Sequence, residues 1–183
     1  MKKMLREIES AFESKSVDRT ILLAYANGDA WSIENIQETL GHRPWKEVTR
    51  DDLYQCGCSE IASYLTVQGL VHYLPALMRR SLEEPEPGKS RLSEVTRLIV
   101  VPAALELHDV RECFGDGQFE IPLSQSAQAW LERSERLCTL LTKQQRDCVG
   151  KYVEAVENPN GMIQDENFLG LLSRFARYWT GSA

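Results

Sequence analysis

The sequence predicts a mainly α protein, a single compact helical domain of six or more helices over residues 1–183, with a small β-hairpin near 110–122. Three observations predict this class. Apolar residues recur at three- and four-residue intervals along several stretches, which is the spacing of one helix face. Serine or threonine stands in capping position ahead of several of those stretches. The composition, 43% hydrophobic and 26% charged, is that of a globular chain long enough to bury its own core.

The elements follow in order. Residues 2–14 set Leu5, Ile8 and Phe12 on one face, with charged side chains opposite. "RTILLAYA", residues 19–26, is a short apolar run that fits helix or strand. Gly28 and Asp29 make a turn, Ser32 caps a short helix through "IENIQETL", and Gly41 stops it. "HRPW" is a loop. Thr49 and Asp52, in capping-box spacing, open the next short helix.

The stretch 63–84 is the spine of the predicted core. Thr66 is its N-cap, and Leu65 stands in staple spacing with Leu70. Leu70, Leu74, Leu77 and Ser81 run down one side, widened by Tyr73, Met78 and Leu82. Pro75 interrupts them. It removes a backbone donor and crowds the Val71 carbonyl, at about 3 kcal/mol in an exposed helix, so the helix kinks there or two helices meet.

"EEPEPGKS" is a loop, and in 91–107 Leu92, Val95, Leu98 and Ile99 are helically spaced. "IVVP" also fits a short strand, so residues 98–101 are read either way. "CFGDGQFEIP" carries the turn signal of the hairpin. Ser124 opens a helix to about Cys138, with Ala127, Trp130, Leu131 and Leu137 inward. Thr142 and Gln145 form a second capping box, ahead of Val149, Tyr152, Val153 and Val156 at helical spacing. The last helix, 164–179, aligns Phe168, Leu172, Phe175 and Trp179.

Charge narrows the function classes. Residues 1–90 hold 11 basic and 14 acidic side chains and residues 91–183 hold 10 and 13, so each half carries −3 of the formal −6. Such a surface repels phosphate backbones, which argues against nucleic acid, and it attracts a basic protein. "MKKMLREIESAF" lacks the apolar core of a signal peptide, and "LIVVPAALEL" is too short to span a bilayer. Five cysteines without a secretion signal read as reduced thiols in a cytoplasm, so no membrane role is expected.

Chemistry-bearing groups do not assemble into a motif. Cys56 and Cys58 form a C-x-C, with His72, His108 and Cys113 scattered, where zinc needs three or four converging ligands and structural sites come as two close pairs. "GDG" at 115–117 lacks the third glycine and the Lys-Ser/Thr of a phosphate loop. His72 reads as a core or edge histidine bonded to a backbone carbonyl, and Tyr64 and Tyr73 as packed rings. Arg79 and Arg80 ahead of Glu83 and Glu84 read as an exposed ion-pair pattern. No catalytic, cofactor-binding or metal residue is assigned, and no cofactor is expected.

Four tryptophans remain, Trp31, Trp45, Trp130 and Trp179. Trp31 and Trp45 flank a short helix and a proline loop, and they are the candidate partner-binding residues if exposed. The competing reading is that they cover the core from its rim.

Three phrases, "DAWSIENIQETLG", "YLTVQGLVHYLPALMRRSLEE" and "LLTKQQRDCVGKYVEAV", resemble a family of small bacterial proteins known only as a domain of unknown function. The matching positions are Leu65, Thr66, Tyr73, Leu74, Pro75 and Ala76, then Leu141, Thr142 and Gln145. The resemblance covers about two thirds of the chain, with residues 98–135 as an insertion and the closing helix outside it. It implies a helical, bacterial, cytoplasmic protein and no activity.

The expectation is a non-catalytic protein-binding protein, in its sharpest form an immunity or antitoxin-type inhibitor of a basic protein. The alternative is a small hydrolase in which Cys56, Cys58 or Cys113 meets His72 or His108.

Overall fold

The computed structural model describes residues 2–14, 30–41, 43–56, 61, 64–83, 96, 99, 125–157 and 166–181. For 30–32, 125–127, 130, 157 and 166–172 the description is of the backbone alone. The chain divides into two compact units, Met1–Leu98 and Ile99–Ala183. The described residues are mainly helical and include no strand. The hairpin at 110–122 lies outside them, and of residues 98–101 only Ile99 is described, helical and buried.

The first unit contains α1 (Lys2–Ala11), α2 (Ala30–Thr39), a 3₁₀ turn (Trp45–Glu47), α3 (Arg50–Gln55) and α4 (Val67–Leu82). α1 and the 3₁₀ turn both pack on α4, and α2 packs on α3. α1 turns Met4 and Ile8 inward, and Phe12 follows just beyond its end.

α4 is the axis of this unit. Thr66, in extended backbone, accepts the Gly69 amide at 2.9 Å and so caps the first turn. Leu65 and Leu70 are both buried, as staple spacing requires. Leu74, Leu77, Ser81, Tyr73, Met78 and Leu82 are buried as well. The helix runs unbroken through Pro75, so the two-helix alternative falls. A helix walled by apolar contacts on most sides tolerates one lost donor because burial, not its hydrogen-bond ladder, supplies most of its stability.

Ser32 is not the cap of α2. The helix already begins at Ala30, which makes Ser32 its third residue. Gly41 does stop the helix, taking a φ of 54° that side chains rarely adopt.

The second unit contains α5 (Gln125–Leu140), α6 (Lys143–Glu157) and α7 (Glu166–Thr180). At the start of α6 the Thr142 amide donates to the Gln145 side chain at 2.9 Å, and the Gln145 amide to the Thr142 hydroxyl at 3.3 Å. α6 buries Cys148, Val149, Tyr152 and Val153; α7 buries Phe175, Ala176 and Trp179. The two helices approach closely at Gly150. A Cβ there would lie 3.1 Å from the Ala176 carbonyl oxygen and 3.2 Å from Thr180 Cγ2.

Candidate functional site

Polar side chains of the first unit converge on the backbone of residues 40–49, the loop between α2 and α3. The turn at Gly41 ends α2, and the carbonyls of Leu40, Gly41 and Arg43 follow it. Tyr73 of α4 meets them. Its buried hydroxyl lies 3.2 Å from the Leu40 oxygen, 3.3 Å from Gly41 and 3.3 Å from Arg43. One phenolic hydrogen is shared among three acceptors.

His72 reaches the same place. Its Nε2 is 3.0 Å from the Arg43 oxygen, and because a carbonyl only accepts, Nε2 carries the hydrogen. The two rings touch edge to face at 4.5 Å and 84°. Helical neighbours ordinarily diverge by about 100°, yet both polar tips end on one short piece of backbone.

Arg43 fastens the loop from inside. Its guanidinium donates to the Thr39 oxygen at 3.1 Å and the Glu47 oxygen at 2.6 Å, and pairs with Asp52 at 3.2 Å. Asp52 accepts the Thr49 amide and hydroxyl, each at 2.7 Å, and the Thr49 hydroxyl in turn accepts the Asp52 amide at 3.2 Å. That is the predicted capping box of α3. Two turns below Tyr73, Arg80 donates through Nε and Nη2 to the Val48 oxygen at 3.0 and 2.8 Å. Glu83 holds Arg80 at 2.6 Å and Arg79 at 2.9 Å, and Arg79 reaches Glu9 of α1 at 3.5 Å. The Trp45 indole donates to the Glu13 oxygen at 3.2 Å.

Protonation states follow from these surroundings. Burial raises the Tyr73 phenol far above its ordinary value; the nearby Arg43 charge opposes this and Cys56 adds to it. The phenol is therefore a donor at physiological pH. Burial lowers His72, and its bond to the Arg43 carbonyl only partly offsets that, so the ring is held neutral. Burial alone would raise Asp52 and Glu83. The Thr49 and Arg43 hydrogen bonds outweigh it for Asp52, and those from Arg80 and Arg79 for Glu83, so both carboxyls sit below their usual range.

The sequence-derived candidates fall out as follows. Trp45 is not a surface anchor: it is 1% exposed, packed under α4, because its indole faces inward from a one-turn 3₁₀ segment. The side chain of Trp31 lies outside the described residues, as do His108, Cys58 and Cys113. Cys56 is 1% exposed. Among the described residues no group of three His, Cys, Asp or Glu side chains is placed to hold a metal ion. No described helix is long and apolar enough to cross a membrane.

The residues missed were Arg43 and Arg80. Arg80 reads from sequence as one of an exposed pair, but it lies seven residues from Tyr73, hence on the same helix face. That spacing was the available signal. For Arg43, no local pattern marks a side chain that folds back on its own loop.

The family match decides the affiliation: a model for a family of unknown function, DUF6714, matches residues 1–183. The chain belongs to DUF6714. The match includes the closing helix, which the sequence resemblance placed outside the pattern. Comparison with curated proteins and with solved structures gives no match.

Proposed function

We propose that this DUF6714 protein is a bacterial, cytoplasmic, non-catalytic binding protein whose partner is a basic protein, inhibited in the manner of an immunity protein or antitoxin. The observation that carries the reading is where the reactive groups point. His72 and Tyr73 both end on backbone carbonyls of the 40–43 loop, and Cys56 is buried. Among the described residues these groups serve the scaffold, which supports a role carried by the surface.

The chain carries a formal −6, which favours encounter with a basic partner. On α2 and α3, Glu34, Glu38 and Asp51 are exposed, and so is Tyr54, at 38%. The Arg50 guanidinium lies 5.5 Å from the Tyr54 ring centroid. Exposed aromatic rings among acidic groups suit recognition of a cationic surface.

The test is affinity capture from the native host, followed by binding of the purified partner at increasing salt. A basic protein is expected, with affinity falling as salt rises and falling further in the Glu34→Lys, Glu38→Lys, Asp51→Lys variant. Failure to enrich any basic protein overturns the reading.

A further inference from the structure

We draw no further inference here: the strongest candidate, the exposed face of α2 and α3 formed by Glu34, Glu38, Asp51 and Tyr54, belongs to the surface already described, and nothing in the structure shows what covers it.

Discussion

The loop clamp of the first unit and the α6–α7 pair of the second are held by different physics. In the clamp, directional donors from α4 terminate on carbonyls about thirty residues earlier in the chain: Tyr73 on Leu40, His72 on Arg43, Arg80 on Val48. In the helix pair, apolar faces of consecutive helices are buried around a glycine that lets the backbones approach. The first arrangement depends on individual bonds from side chains to backbone carbonyls of the loop. The second depends on volume. A substitution that removes one polar atom should therefore hurt the clamp and leave the helix pair unmoved, and one methyl group should do the reverse.

The largest expected effect is on the apolar roof of the clamp. Trp45→Ala should destabilise the protein by about 3–5 kcal/mol, read as a lower urea midpoint, since the indole is fully buried and its N–H holds Glu13. Tyr73→Phe isolates the polar contribution: losing one hydroxyl that serves three carbonyls should cost about 1–3 kcal/mol. A neutral result would show that water replaces the phenol, and the clamp would then be ordinary packing.

Gly150→Ala sharpens the other half of the comparison. In an open helix it would stabilise by up to about 1 kcal/mol. Here the added methyl meets backbone, the Ala176 carbonyl, which yields less readily than a side-chain tip. A net loss of about 1 kcal/mol is expected, and a raised melting temperature would mean that the two helices are not closely seated.

A smaller effect is expected from acid. The Asp52 carboxyl sits below its ordinary 3.8, so its contribution is complete above that value and is lost as pH falls through and below it. Asp52→Asn should remove that part of the acid limb while leaving stability near neutrality reduced but flat. The smallest change belongs to Lys143→Ala on the surface of α6, whose 2.8 Å pair with Asp147 should be worth about 0.3–0.5 kcal/mol and vanish in high salt.

Much of the frame was legible in the sequence because it is local. Thr66, the Thr49–Asp52 box and the Thr142–Gln145 box are decided within four residues, and each forms as its spacing implies. The stripe from Leu70 to Leu82 was readable for the same reason. The misreadings share the opposite cause. Ser32 fits a cap by residue type, but α2 starts two residues earlier, where nothing in its own turn forbids helix. Trp45 fits an interface anchor by position, yet α4 covers it. Arg80 fits a surface ion pair with Glu83, and it makes that pair while also forking onto Val48.

The sequence by itself determined the helical class, the membership of the long stripe in the core, and the reading of His72 as bonded to a backbone carbonyl, because periodicity and side-chain chemistry act over one or two turns. Only the tertiary structure decided which carbonyl that was, and that Tyr73 and Arg80 would close on the same loop. Those bonds join residues about thirty positions apart, and no pattern in either segment encodes its partner. They exist because packing α4 against the 3₁₀ turn brings donors to carbonyls of the loop that follows α2.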